Sequence, residues 1–247
     1  MFKRLKVAGG SGLAFAVLLS LAALYLKPEA AAAAQAERQI QIPPARKNEA
    51  VVITKITLGD VVVQSVRVIK AVGVAPDPIT PFQADDDWVQ NLTLYLFNRT
   101  NQTIVYATVN FSFPETGDGH TVPRRGYMLN LGRVPPPAAF DRNGKPLRQR
   151  PESQPIWFRP GQELAIRLGD YVDRIKTNVE PFMPLAVLTR LNVDLGLVFF
   201  ADGMQWSGGG GFRALDPQTF TWRRLGPDYF PGDMDRKWPG HPWKDQQ

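Results

Sequence analysis

The chain has 247 residues, of which 44% are hydrophobic and 21% are charged, a composition typical of a globular protein and not of a disordered one. Its formal net charge is +6, but Lys and Arg are scattered among Asp and Glu, which argues against a nucleic-acid-binding protein. The absence of cysteine excludes disulfides, thiolate metal sites and cysteine nucleophiles.

An uncharged apolar segment of twenty residues occupies positions 7–26. A helix of that length rises roughly 30 Å, which matches the hydrocarbon core of a bilayer. The basic residues before it favour a cytoplasmic N-terminus and export of the rest: Lys3, Arg4 and Lys6. We therefore predict an N-terminal transmembrane or signal helix in a bacterial cell-envelope protein.

Two outcomes are open for this helix. It stays as a single-pass inner-membrane anchor with the domain in the periplasm, or it is removed and the protein is secreted. Ala34-Gln35-Ala36 has the small-x-small form of a signal-peptidase site, so cleavage would fall near Ala36. The site lies far beyond the apolar stretch, which favours the anchor.

The domain organisation follows from changes in composition. Residues 1–26 are a cytoplasmic stub with the anchor or signal peptide, and 27–50 are an Ala/Pro tether that Pro43-Pro44 keeps from regular structure. Residues 51–225 are a β-sandwich domain, and 226–247 are a Pro/aromatic tail.

Apolar and polar residues alternate with period two in the body of the chain. Two such runs, Leu92–Phe97 and Val105–Phe113, are separated by a short polar stretch and predict a β-hairpin. A second hairpin is centred on Asp202-Gly203, a dipeptide typical of two-residue type I′ turns. This turn pairs Phe199 with Trp206 on the inward face.

Further strands are predicted at 51–58, 61–70, 127–131 and 163–168, with shorter ones near 156–158 and 220–223. One short helix begins at Asp170 as its N-cap and ends at Pro181 and Pro184. Many short strands without a β-α repeat indicate a mainly β fold, an antiparallel immunoglobulin-like sandwich. A partly open barrel is the alternative.

The segment Phe200-Ala201-Asp202-Gly203-Met204-Gln205-Trp206 resembles the F-A-D-G-x-x-W hairpin of exported bacterial proteins of acidobacterial type. In those proteins the hairpin follows a strand opened by proline and glycine, which Pro160-Gly161-Gln162-Glu163-Leu164 resembles. The resemblance implies a β-sandwich fold, no established activity and no functional residues.

We find no sequence pattern for catalysis, and we expect no catalytic residue, metal or cofactor. The two histidines, His120 and His241, have no partner at motif spacing, and Gly208–Gly211 lacks the residues of a phosphate loop. Asp85-Asp86-Asp87 offers calcium ligands but lacks the alternating spacing, so a solvated acidic loop is the simpler interpretation. Trp88, Trp157, Trp206 and Trp222 are expected to pack in or around the core, and an exposed platform for sugars is the lesser alternative.

Two segments are candidates for partner binding. The first is the connection from Gly132 to Pro155, which we call the Pro/Arg loop because it is rich in proline and basic residues. It is long for a compact domain, and it is either an extended surface loop or a binding loop for a partner or an acidic envelope polymer. The second is the tail, which is too aromatic for a mere solubilising extension. It folds back over the sandwich, docks onto another protein or is a disordered end. The candidate binding residues are Arg142, Lys145, Arg148, Arg150, Tyr229, Phe230, Trp238 and Trp243.

These features predict a non-catalytic interaction or assembly module in the cell envelope. It would contact the membrane through residues 7–26 and bind a protein partner, with a glycan as a possible ligand and no nucleic acid. The alternatives are a carbohydrate-binding or glycan-processing protein and an accessory subunit of a membrane complex.

Overall fold

We describe the structure, a computed structural model, over residues 35–44, 48–69, 73–117, 119–135, 138–139, 141, 143, 145, 156–208, 211–216, 218–226 and 229–232. The fold described belongs to the unit Ala36–Gln247. The predicted leader at 7–26 lies outside the described residues, and no helix within them is long and apolar enough to cross a membrane.

The protein is mainly β, as the alternating pattern predicted. The strands of the described chain are β1 (Ala36–Gln41), β2 (Val51–Leu58), β3 (Val61–Ile69), β4 (Gly73–Pro76), β5 (Phe82–Ala84), β6 (Leu92–Asn98), β7 (Ile104–Phe113), β8 (Arg125–Gly132), β9 (Glu163–Arg167), β10 (Arg190–Phe200), β11 (Gln205–Ser207), β12 (Gly211–Asp216) and β13 (Thr221–Arg224). Within the described residues, one α-helix, α1, spans Val172–Val179, and three short 3-10 turns span Pro114–Thr116, Leu168–Tyr171 and Leu185–Val187.

The strands form two sheets. In the first, β8, β7 and β10 lie side by side, and the other edge of β10 pairs with β1 near its start and β11 near its end. This sheet continues through β12 and β13 on one side and β5 on the other. The second sheet has the order β4-β3-β2-β6-β9 and is antiparallel. The β1–β10 pair is parallel.

Side chains from both sheets meet in one hydrophobic core. Period-two alternation turns every second side chain of a strand to the same face, and much of the core comes from such positions, although β2 also buries Val51, Val52 and Ile53 in succession. The first sheet contributes Ile40, Val109, Phe111, Leu129 and Val193, and the second contributes Val52, Ile56, Leu94, Leu96 and Ile166. A smaller cluster of Val105, Ala138 and Phe199 lies apart from this core.

The structure differs from the predicted start of the folded domain. Residues 36–41, predicted as part of a tether, form β1 and pair with both β5 and β10. Ile40 and Ile42 lie in the core, and Arg38 is buried as well. The pattern was difficult to read as a strand because Arg38 occupies an inward position, where its guanidinium donates to the backbone oxygens of Ala186 and Leu188.

The predicted hairpin of Leu92–Phe97 with Val105–Phe113 is wrong, although both strands exist. β6 pairs with β2 and β9 in the second sheet, whereas β7 pairs with β10 and β8 in the first. The chain crosses between sheets at a buried polar corner. There the side-chain amide of Asn98 donates to Gln102 O, and its oxygen accepts from the backbone and hydroxyl of Thr100.

The hairpin at Asp202-Gly203 is confirmed, but its register is shifted by one residue. Val198 pairs with Trp206, and Phe199 pairs with Gln205. The turn is a three-residue loop closed by a hydrogen bond from Phe200 N to Met204 O, and Gly203 adopts a φ of +85°. The pairing of β10 with β7 is irregular between Leu195 and Val198. Before this point Val193 and Leu195 face the main core, and after it the inward positions move by one residue, so that Val198 and Phe200 face the core.

The predicted short helix is confirmed as α1, but Asp170 is not its cap. Asp170 lies in the 3-10 turn that precedes the helix, and the N-cap position belongs to Tyr171, which makes no side-chain capping bond. Ile175 and Val179 are buried, as their helical spacing predicted. The helix is held by this apolar face and not by its cap.

Candidate functional site

Four segments meet at one end of the domain, which we call the corner pole: residues 98–104, 156–162, 200–205 and 229–232. The corner segment contacts each of the others. The side-chain amide of Asn98 donates to Phe158 O at 2.9 Å, Ala201 N donates to Thr103 O at 2.9 Å, and Asn101 N donates to Pro231 O at 2.7 Å. Asn98, Arg99 and Thr100 are buried, and the side chains of Asn98 and Thr100 are hydrogen-bonded within the corner, so it is a rigid base for the segments around it.

The described part of the tail folds back onto the corner pole. Thr100 and Gly232 form an antiparallel bridge. The ring of Phe230 lies 5.7 Å from that of Phe212, and the guanidinium carbon of Arg99 lies 5.5 Å from the centre of the Phe230 ring. Phe230, predicted as a partner-binding residue, therefore packs against its own domain.

Tyr229 has a more open environment than Phe230. Its ring meets Phe212 edge-on at 5.6 Å, and its hydroxyl donates to Met204 Sδ at 3.3 Å. With 38% of its surface exposed, it forms part of the outer surface of the pole. The other two predicted tail residues, Trp238 and Trp243, lie outside the described residues.

The first part of the Pro/Arg loop is anchored on the first sheet. Arg133 N donates to Val105 O, and Ala139 N donates to Pro135 O. Ala138 and Ala139 are both buried, and Ala138 packs with Val105 and Phe199. The start of the loop is therefore part of the folded domain.

Lys145 lies in a tight turn that begins at Asp141. Asp141 Oδ1 accepts hydrogen bonds from the backbone N–H groups of Asn143 and Lys145, both at 2.9 Å, and Asp141 N donates to Lys145 O at 2.9 Å. This Asx-type turn fixes the backbone of Lys145 while leaving the residue exposed. Arg142, Arg148 and Arg150, the other predicted cations of the loop, lie outside the described residues.

The two ends of the Pro/Arg loop lie next to each other. Gly132 has a φ of +77°, and a Cβ atom placed on it would lie 2.7 Å from Ile156 Cγ1 and 2.2 Å from Val105 O. Only glycine tolerates both that backbone angle and that close approach. The loop therefore leaves and returns beside the start of β7, where Phe158 exchanges hydrogen bonds with Ile104.

Trp157 is a surface residue at this junction, so the prediction that it packs in or around the core is wrong. Its exposed fraction is 65%, while Trp88 and Trp206 are buried and Trp222 is partly buried. The run Ile156-Trp157-Phe158-Arg159 carries a signal that could have revealed this. If Phe158 faces inward, the alternation turns Trp157 and Arg159 outward.

The acidic run Asp85–Asp87 has a structural partner. Asp86 Oδ1 lies 3.6 Å from Arg38 Nη2, and Asp87 N donates to Asp85 Oδ1. Arg38 is 1% exposed, so this pair compensates part of a buried charge. Within the described part of the chain, no group of three or more His, Asp or Glu side chains is placed to hold a metal ion.

The geometry thus brings the start of the loop, through Gly132 and Ala138, to the margin of the corner pole, and it brings residues 229–232 of the tail to the pole itself. Comparisons of the chain with protein-family models, with curated proteins and with solved structures found no match.

Proposed function

We propose that the chain is a non-catalytic interaction module of the bacterial cell envelope, exposed outside the cytoplasmic membrane, and that the corner pole is its binding surface. The observation that carries this proposal is the convergence of two segments distant in sequence. Asn98 bonds Phe158, three residues beyond the end of the Pro/Arg loop, and Asn101 bonds Pro231 in the tail. One rigid corner thereby supports both.

The charge of the loop defines the partner that the surface would favour. Residues 132–160 hold six basic and two acidic side chains, a net charge of +4. Lys145 is exposed in a preformed turn, and Arg159 is exposed beside the loop's end. A cationic surface on a rigid base favours an acidic partner, and preorganisation lowers the entropy lost on binding.

The proposal extends to the fold and the location. We infer that the two sheets form an immunoglobulin-like sandwich, since side chains from both share one core. Loops at one end of such a sandwich are a common place for binding surfaces. The leader at 7–26 supports an inner-membrane anchor with the domain in the periplasm, or secretion after cleavage near Ala36.

Affinity capture from native membranes tests the function. A chain in which Arg142, Lys145, Arg148 and Arg150 are all replaced by serine should lose partners that the wild type crosslinks and retains. A matched control replaces four cations that lie outside both the corner pole and the Pro/Arg loop: Arg124, Arg167, Arg174 and Lys176. Equal capture by the wild type and the loop variant would show that the Pro/Arg loop is not the binding surface.

Fractionation of the same cells tests the location. Retention in carbonate-washed membranes supports the anchor, and recovery of a shortened chain in the periplasm or medium supports cleavage. A full-length chain in the cytoplasm would contradict the export proposal.

A further inference from the structure

We propose that Trp157 and Arg159 form a binding subsite for an acidic sugar residue of an anionic polysaccharide. This inference rests on the proposed function and names the ligand class for one part of the corner pole. It is built on the two residues' exposure, on the rigidity of the backbone between them and on the chemistry of their side chains.

The backbone that carries the two side chains is fixed on both sides. Phe158, which lies between them, is 2% exposed and exchanges two 3.0 Å hydrogen bonds with Ile104. Its carbonyl also accepts from the Asn98 side chain. Arg159 N donates to Gln162 Oε1 at 2.9 Å, and Gln162 N donates back to Arg159 O. Binding would therefore cost little backbone ordering.

The exposed pair points to one side of this backbone. Ile156 and Phe158 turn inward, so the alternation of an extended chain turns Trp157 and Arg159 outward, and their Cα atoms are about 7 Å apart. The guanidinium of Arg159 forms no ion pair with another residue in the part of the chain that the structure describes. The indole of Trp157 and the guanidinium of Arg159 are thus both accessible to solvent and are two residues apart on this segment.

The two groups complement the two halves of an acidic sugar. The C–H face of a pyranose ring is apolar and flat, and it can cover the indole, burying apolar area on both partners. A carboxylate on that ring or on its neighbour can accept two parallel hydrogen bonds from the guanidinium. The cations of the adjoining loop would attract the other acidic residues of the polymer.

The surroundings of Trp157 favour a sugar ring over an acidic protein segment. Aromatic anchors of protein interfaces lie in well-packed apolar pockets surrounded by further contacts. The strongly exposed large apolar residues in the described chain lie mostly outside the corner pole: Val61, Val62, Ile79, Val122, Met128, Phe182 and Val187. Trp157 is instead a separate flat plate beside charge, which suits stacking.

Calorimetry and tryptophan fluorescence with defined polymers test the subsite. We expect the exported domain to bind polygalacturonate, with a change in tryptophan emission, and to bind neutral dextran at least tenfold more weakly. W157A and R159S should each weaken polygalacturonate binding about tenfold or more, and W157F should retain most of it. The matched controls, F182A and R167S, remove an exposed aromatic residue and an arginine elsewhere and should bind as the wild type does.

Four results would overturn the inference. If W157A bound polygalacturonate as tightly as the wild type does, charge alone would account for the binding and the indole would have no part in it. If the wild type bound dextran as tightly as polygalacturonate, the carboxylate of the sugar would not be recognised. Poly-glutamate binding as tightly as polygalacturonate, with the same loss in W157A, would assign the subsite to an acidic peptide. A wild type that fails to bind polygalacturonate, while it still captures partners that the loop variant loses, would refute this subsite and leave the proposed function standing.

Discussion

Gly196 lies at the irregularity in β10, where the inward-facing positions move by one residue. A hydrogen bond to a side chain of the neighbouring strand β7 stabilises this irregularity. Leu197 N donates to Thr108 Oγ1 at 2.7 Å, and this bond satisfies an N–H that the irregular pairing removes from the ladder. The same hydroxyl would lie 2.6 Å from a Cβ atom on Gly196, and Asn110 Nδ2 would lie 3.0 Å from it. A side chain at position 196 would therefore displace the group that stabilises the irregularity.

We expect Gly196→Ala to lower the free energy of unfolding by about 1–3 kcal/mol, because it forces the Thr108 hydroxyl away from its donor. Urea unfolding at neutral pH measures the effect. Gly226→Ala is the matched control, since a Cβ atom there would meet nothing within 4 Å. Equal stability of the two variants would mean that the strand accommodates the methyl group and that the hydroxyl is dispensable.

Glu115 joins the turn after β7 to the start of β10. Its Oε1 accepts from the backbone and hydroxyl of Thr189, at 3.0 and 2.7 Å, and lies 3.4 Å from Arg190 Nε. Burial, the largest single influence, acts to raise the pKa of Glu115. The hydrogen bonds from Thr189 and its own backbone, with the charge of Arg190, outweigh burial and lower that pKa below the ordinary 4.5.

A lowered pKa makes this carboxylate a source of stability that acid removes. The contribution is complete above pH 4.5 and is lost as the pH falls from there through the folded-state pKa. We expect Glu115→Gln to be less stable than the wild type at pH 7 and to lose less stability between pH 4.5 and pH 2.5. Unfolding curves across this range test it, and parallel pH profiles would contradict it.

At the scale of elements, the tail segment 229–232 acts as a cover for the aromatic group at the corner pole. Phe212 is 2% exposed because Phe200 stacks on one side of it, at 5.9 Å, while Tyr229 and Phe230 meet it edge-on. The backbone bond from Asn101 to Pro231 fixes the segment in this position.

We expect Phe230→Ala to lower the free energy of unfolding by about 1–3 kcal/mol, because it uncovers Phe212 and Arg99 and leaves a cavity. Tyr229→Phe, which removes a weak bond to sulfur, should change stability by less than about 0.5 kcal/mol. Thermal unfolding of both variants provides the comparison. A neutral Phe230→Ala would mean that the tail rests on the pole without stabilising it.

The elements also show what alternation in the sequence can and cannot reveal. It located β2, β6 and β7 almost to the residue, because burial of every second side chain depends on local geometry. Alternation paired β6 with β7 wrongly, because a buried apolar residue has the same sequence pattern whichever of the two sheets its strand joins. The deciding information is the bonding of Asn98 and Thr100, whose buried amide and hydroxyl close the corner.

The candidate site was predictable to a similar extent. Composition alone identified Lys145 and Tyr229 as members of unusual segments, and the structure places both at the surface. Composition could not show that Tyr229 is exposed while Phe230 packs against the core, because the packing of Phe230 depends on Phe212, which is distant in sequence. The exposure of Trp157 follows from the inward position of Phe158, which depends in turn on a bridge to Ile104.

At the scale of the whole molecule, the first strand makes the boundary of the folded unit testable. β1 contributes Ile40 and Ile42 to the core, and truncating one such side chain to alanine typically costs about 2–5 kcal/mol. Domains of this kind are stable by only about 5–15 kcal/mol. We expect a chain that starts at Ala36 to unfold cooperatively, and one that starts at Val51 to be unfolded or aggregated. Matching cooperative transitions for the two chains would show that β1 is dispensable.

The parallel pairing of β1 with β10 places the start of β1 and the tail segment 229–232 at opposite ends of the domain. β10 ends at Phe200 in the corner pole, so β1, running the same way beside its start, begins at the opposite end. The segment 229–232 lies at the corner pole itself. Attaching the domain to a bead or sensor surface ahead of Ala36 would therefore present the corner pole to the solution. A bulky tag joined directly after Gly232 would be attached at the corner pole, where the ligand is proposed to bind, so assays that use it would underestimate binding.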